Sequence, residues 1–241
     1  VDPADAPPAE AGGMQGMGVG RWWPLLQRQP ALLDSFDVLD ELLGVLDAVP
    51  FGLAARAQAA LLGRALDLWA ELRRRQPRAR CEWAWLGNRP ALRLLVRRVQ
   101  MDASPRAEHS FDGLQALVTV LNPHDNHGLR DRLAAVLLRR GDAAAALALA
   151  ERYPDDLVGM QLLHTRALLA LQRLPEAEVA YAGALRANPH VAALLLASRA
   201  PRVPDVDSFR VGSPEQARIA VAAQHDLWRD KSLRKWLQAR T

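Results

Sequence analysis

The sequence predicts an all-α chain built of helical hairpins. Half of its 241 residues are apolar, only 5% are aromatic, and Leu and Ala dominate. That balance favours close helix packing over sheets, which draw on Val, Ile, Thr and aromatic residues. Apolar residues recur at helical spacing between Pro, Gly and Asn-Pro breaks. No stretch alternates apolar and polar residues for long enough to make a strand.

Four regions follow along the chain. Residues 1–20 are rich in Pro, Ala and Gly without an apolar period and are expected to be a disordered arm. Residues 21–80 hold N-terminal helices, 81–200 a set of helical repeats, and 201–241 a Pro-rich loop with C-terminal helices. Trp22-Trp23-Pro24 marks the start of packed structure, because two adjacent Trp side chains rarely stay in water. Asp34 or Ser35 caps a helix with Phe36, Leu39, Leu43 and Leu46 on one face, ended by Pro50. The next helix, Leu53 to Arg75, carries Leu62, Leu66, Trp69 and Leu72 and closes at Gln76-Pro77. Pro90 suits a first helical turn, where its missing N–H costs nothing, and Leu92, Leu95 and Val99 then face inward.

Ser104-Pro105 opens a helix with Phe111, Leu114, Leu117 or Val118, and Leu121 inside. Asn122-Pro123 stops it. Asp125 or Asn126 caps the following helix, which carries Leu129, Leu133, Val136 and Leu137 and ends at Gly141. Ala144 to Tyr153 is its return. Asp155 or Asp156 caps the next, through Leu163, Ala167, Leu168 and Leu171, with Pro175 to Ala187 returning. A shorter helix starts near Val191. Pro201, Pro204 and Gly212 mark a loop laid over the surface. Ser213-Pro214-Glu215 then supplies an N-cap, a first-turn Pro and an acid at the positive end of the helix dipole. Trp228, Leu233, Trp236 and Leu237 complete the apolar set.

Ala177, Tyr181, Ala184 and Pro189 fall at the small, aromatic, small and Pro positions of a tetratricopeptide second helix. Small residues let two helices approach, the aromatic fills the wedge to the next hairpin, and Pro ends the helix. Asn122-Pro123 and Asn188-Pro189 are separated by close to two repeats of ~34 residues. The hairpin between them is degenerate: it keeps Gly141-Asp142 and the spacing Ala146, Ala150, Tyr153, but Pro154 comes early. Thr165 stands where the repeat has Gly. The fold expected is a short superhelix of tetratricopeptide-like α-α hairpins.

NPHVAALLL, then a Pro-rich loop, GSPEQA and LWRDKSLRKWL, resembles the C-terminal part of the suppressor-of-tumorigenicity-seven family. The matching positions are Asn188, Pro189, His190, Val191, Gly212, Ser213, Glu215, Ala217 and Trp228. ERYPDD with HTRALLAL resembles that family's preceding hairpin. WLGNRPALR and LNPHDNHGLR are similar to segments of bacterial tetratricopeptide relatives. The resemblance covers roughly residues 83–239. It implies a helical-repeat scaffold and no catalytic residues. Animal members are membrane-anchored, and the apolar runs here are too short for the ~20 residues a span needs.

Composition and motifs narrow the chemistry. A single cysteine, Cys81, rules out an internal disulfide and a cysteine-clustered zinc site, and fits a reducing compartment. No secretory segment is recognised at the start, so a cytoplasmic location is expected. His124-Asp125-Asn126-His127 is the nearest approach to a metal motif, but it follows Asn-Pro and reads as a turn. His109, His164, His190 and His225 share no spacing, and His190 is expected to bond backbone or a neighbouring hairpin. Asp37, Asp40, Glu41 and Asp47 read as the solvated side of a helix. AGGMQGMGVG lacks the Lys and flanking strand of a phosphate loop. No cofactor, metal or catalytic residue is assigned.

The formal charge of +4 comes from Arg, with only Lys231 and Lys235 as lysines. Arg73, Arg74, Arg75, Arg78 and Arg80 form a dense basic run at a helix end, which suits the dipole and also suits phosphates or an acidic partner. Arg97, Arg98, Arg139 and Arg140 also end helices. The expected function is a non-catalytic scaffold or adaptor holding a partner protein or peptide. The alternative is a nucleic-acid-binding repeat using Arg73 to Arg80.

Overall fold

Several helix boundaries fall where breakers and caps place them, as at Gly141-Asp142 and Ser213-Pro214. The computed structural model describes residues 19–101, 108–206 and 208–240, and all its regular structure is helical: twelve α-helices with intervening short turns and no strand among the described residues. The expected arm lies outside them except for Val19 and Gly20, which open the first helix, and so does the Ser104-Pro105 helix start. The chain divides into two compact units. One is drawn from Val1–Ser104 and Thr119–Asn126, the other from Pro105–Val118 and His127–Thr241.

In the first unit, α1 (Val19–Arg28), α2 (Phe36–Asp47), α3 (Phe51–Arg75) and α4 (Arg89–Met101) are joined by short 3-10 turns at Pro30–Asp34 and Leu86–Asn88. α2 packs on both α3 and α4. Leu39 and Leu43 meet Leu62, Ala65 and Leu94 in the core. Ala65 takes the buried place expected of Leu66, which is only half-buried. Trp22 is buried against Val38 and Leu42, whereas Trp23 is 64% exposed. Neighbouring residues of a helix point about 100° apart, so only one of the pair faces the core.

The acidic face of α2 differs from expectation. Asp40 is buried and its carboxylate takes two hydrogen bonds from Arg93, while Asp47 pairs with Arg97 at 2.8 Å. Ser35 is the N-cap residue but makes no side-chain cap bond, and Asp34 instead accepts from Arg64 Nε at 3.0 Å.

The second unit includes α5 (Glu108–Ala116), which runs into a wide π-type turn at Leu117–Leu121 whose last three residues belong to the first unit. Leu117 and Val118, which the periodicity offers as alternatives, are both buried. α6 (Arg130–Arg139), α7 (Ala143–Glu151), α8 (Val158–Ala170) and α9 (Leu174–Ala187) then pack consecutively, and α6 also contacts α8. Leu129, Leu133, Val136 and Leu137 are buried, as the periodicity predicts.

The turn between α6 and α7 is fixed by two adjacent residues. Gly141 adopts φ 82°, a region costly to side chains. Gly141 N–H donates to Leu138 O at 3.1 Å and Asp142 N–H to Leu137 O at 2.9 Å, closing a Schellman motif. Asp142 then accepts from Ala145 N–H at 3.0 Å and so caps α7. Between α8 and α9 the same closure recurs. Gln172 N–H donates to Leu169 O at 3.2 Å and Arg173 N–H to Leu168 O at 3.0 Å, with Gln172 at φ 59°.

Two expected caps are corrected. α6 begins after Leu129, with Asp125 buried in the preceding turn at φ 45°, a conformation Asp tolerates better than most residues. α8 begins after Leu157, because Asp156 is engaged by Arg130 Nη2 at 2.9 Å and by Leu157 N–H at 2.7 Å.

α10 (Val191–Leu196), α11 (Pro214–Ala222) and α12 (Lys231–Gln238) close the unit. α10 packs on α11 and α12, and α11 also touches α8. Ser213 caps α11 by accepting from Gln216 N–H at 3.2 Å, as SPE predicts. The connector between α10 and α11 has no helix or strand among its described residues. No described helix is long and apolar enough to cross a membrane.

Candidate functional site

Ala177, Tyr181 and Ala184 line the inward face of α9 and are all buried; Pro189 is exposed just past the helix end. Ala167 and Thr165 on α8 have no exposed surface, and α8 packs on α9 as well as on α7 and α6. Thr165 donates its hydroxyl to Gln161 O at 2.9 Å, which satisfies this buried polar group. The Tyr181 ring lies 5.4 Å from that of Trp236 on α12, so the aromatic of the motif packs on the C-terminal helix.

Asn188 carries more than a helix stop. Fully buried, its Nδ2 donates to Ser213 O at 2.9 Å and to Gln216 Oε1 at 3.1 Å, and its Oδ1 accepts from His190 N–H at 3.1 Å. Gln216 Oε1 also accepts from Gly212 N–H at 2.7 Å. One amide thereby ties the end of α9 to the start of α11. The ring of His190 is exposed, and its expected partner role falls to the backbone N–H.

The basic run is partly engaged. Arg73 donates to Ala79 O at 3.2 Å, Arg75 pairs with Glu71, and Arg80 lies 3.7 Å from Glu82. Arg74 and Arg78 are exposed, with no ion-pair partner among the described residues. Other helix-end arginines are also committed: Arg139 holds Asp226 at 2.8 Å and Ala223 O at 2.8 Å. That guanidinium keeps the Asp226 carboxyl below its ordinary value.

His124 is exposed, and no group of three or more His, Cys, Asp or Glu able to hold a metal occurs among the described residues. Cys81 is buried; desolvation pushes its thiol up to about 11, which leaves it protonated at neutral pH. A cleft of about 200 Å³ in the second unit is lined by Tyr153, Met160, Gln161 and His164. Burial lowers the His164 pKa, so the imidazole there favours its neutral form. The first unit has a cleft of about 300 Å³ floored by Leu43 and Leu62, with Asp47 and Arg97 at its edge.

The sequence reading overlooked Trp85 and Leu86, which are 70% and 71% exposed on the turn before α4. The sequence reading assigns no role to either Trp of CEWAWLGN. The Gly87-Asn88 step just before the helix-opening Pro90 was the available sign of a protruding turn. No family model matches the chain, and neither a curated protein nor a solved structure matches it.

Proposed function

We propose that this protein is a non-catalytic adaptor whose tetratricopeptide-like hairpins form a short superhelix holding a partner protein or an extended peptide. The observation that supports it most is the repeated closure of α6–α7 and α8–α9. Two successive hairpins use the same Schellman turn, and each helix packs on the next. Repeats of this kind bury little alone and gain their core by stacking, which leaves an extended surface for a partner. The resemblance to the suppressor-of-tumorigenicity-seven family belongs to this reading, and so does a cytoplasmic location. Native mass spectrometry of protein purified from its source cell tests it. A protein bound at fixed stoichiometry is expected. Recovery as a lone monomer at every ionic strength overturns the reading.

A second reading rests on Arg74 and Arg78, whose charges are exposed without an ion-pair partner among the described residues. They would contact nucleic-acid phosphates. Fluorescence anisotropy with single- and double-stranded probes decides it: affinity that falls steeply with salt supports it, and no salt-sensitive binding removes it.

A further inference from the structure

The turn before α4 is braced far beyond the needs of a connection. Trp85 N–H donates to Glu82 O at 3.2 Å, and Asn88 N–H donates to Trp85 O at 3.0 Å. Asn88 Nδ2 donates to Glu82 O at 3.0 Å, and Arg89 Nε to Trp83 O at 3.1 Å. Cys81 N–H is tied to Leu121 O at 3.0 Å, and the Arg89 guanidinium lies 4.8 Å from the centre of the Trp83 ring. Yet this bracing buries neither Trp85 nor Leu86, which stand side by side in solvent. An exposed Trp costs solvation, and a rigid one has its ordering entropy already spent before any partner arrives.

We infer that Trp85 and Leu86 form a preorganised anchor that seats in an apolar pocket, edged by carboxylates, on a partner protein. The inference rests on the adaptor reading and names the contact that reading leaves open. Trp is the residue most often found at interface hot spots, where it fills a desolvated pocket. Charge sets the rim. Between Gln76 and Arg89, Glu82 is the sole carboxylate, against Arg78, Arg80 and Arg89. Arg74 adds exposed positive charge at the preceding helix end. An acidic rim on the partner complements this field and speeds association.

Two other occupants fit less well. Single-stranded nucleic acid is held by successive stacking rings, but Trp83 already has Arg89 over its face, and Leu86 offers a base nothing comparable. A lipid surface would receive only two apolar side chains, fewer buried carbons than the single acyl chain that already gives marginal membrane binding.

The test uses the full chain with Leu86→p-benzoylphenylalanine, irradiated in source-cell extract, followed by mapping of the crosslinked peptide. The crosslink is expected on one protein, in an apolar segment bordered by Asp or Glu. With that protein purified, Trp85→Ala is expected to weaken binding at least ~30-fold. Leu86→Ala is expected to weaken it less, and added salt to slow association. Both side chains are exposed, so thermal unfolding is expected to stay unchanged in both variants, which separates lost contact from lost fold. Unchanged affinity in Trp85→Ala overturns the anchor and leaves the adaptor reading standing. Absence of any protein partner overturns both. Binding of phosphatidylserine vesicles or an oligouridine probe that Trp85→Ala abolishes also overturns the inference, because it assigns the anchor to another class of partner.

Discussion

The two hairpin turns of the second unit differ in one respect that stability measurements can isolate. Both place a residue in the left-handed region, Gly141 at φ 82° and Gln172 at φ 59°. A side chain there costs roughly 1–2 kcal/mol, whereas Gly pays mainly through the greater freedom of its unfolded chain, roughly 0.5–1 kcal/mol. A Cβ added at Gly141 meets no atom within 4 Å, so Gly141→Ala tests backbone conformation without a clash. It is expected to destabilise the protein by about 1 kcal/mol. Gln172→Gly relieves the same strain and loses a marginal side-chain bond to Leu169 O at 3.5 Å. It is expected to stabilise by roughly 0.5 kcal/mol. Urea unfolding of the two variants beside the parent chain measures both. Opposite signs support the shared turn; the same sign for both, or a neutral Gly141→Ala, refutes it.

Three further outcomes follow from packing and burial. Ala177→Arg places an unpaired charge where no surface is exposed and should cost more than about 3 kcal/mol, while His124→Ala, at an exposed position, should stay within about 0.5 kcal/mol. Circular dichroism melts in the reverse order would contradict the burial of Ala177 on α9. Asn188→Ala strips Ser213 O, Gln216 and His190 N–H of their shared partner and should cost about 2 kcal/mol in urea unfolding; a change below about 0.5 kcal/mol would show that the amide is dispensable. Cys81, with its folded pKa raised from 9.0 to about 11, favours the folded state fully below pH 9 and loses that contribution as pH rises through 11. Native protein should therefore react with a thiol reagent at pH 8 far more slowly than urea-unfolded protein, and equal rates would refute the burial.

Local chemistry was the legible part of this fold. Ser213-Pro214-Glu215 and Gly141-Asp142 each hold their instruction within a few residues, and both turns form as those residues demand. Asp40 was misread because its partner Arg93 lies 53 positions away, beyond the reach of any periodicity argument. Asp125 was misread because its turn buries it before the helix begins. Trp22 and Trp85 show the same limit from the other side. Indole area argues for burial in both, yet Trp22 is 2% exposed and Trp85 70% exposed. What separates them is the presence of Val38 and Leu42 opposite one ring, a tertiary fact that residue type does not encode. The candidate anchor was illegible for the same reason.

Among its described residues, the connector between α10 and α11 is secured near its two ends. Ala197 O meets His225 Nε2 at 3.1 Å and Arg234 Nη1 at 3.3 Å, and Gly212 N–H meets Gln216 at 2.7 Å. Between those ends, Val203 and Val211 are 56% and 66% exposed. Cutting the chain there would sever one covalent link while leaving the Asn188–Gln216 joint and the α8–α11 packing to hold the pieces. The segment is therefore the natural place to nick, to insert a tag or to open new termini. A protein cleaved at this point should still migrate as one particle until denaturant separates the fragments.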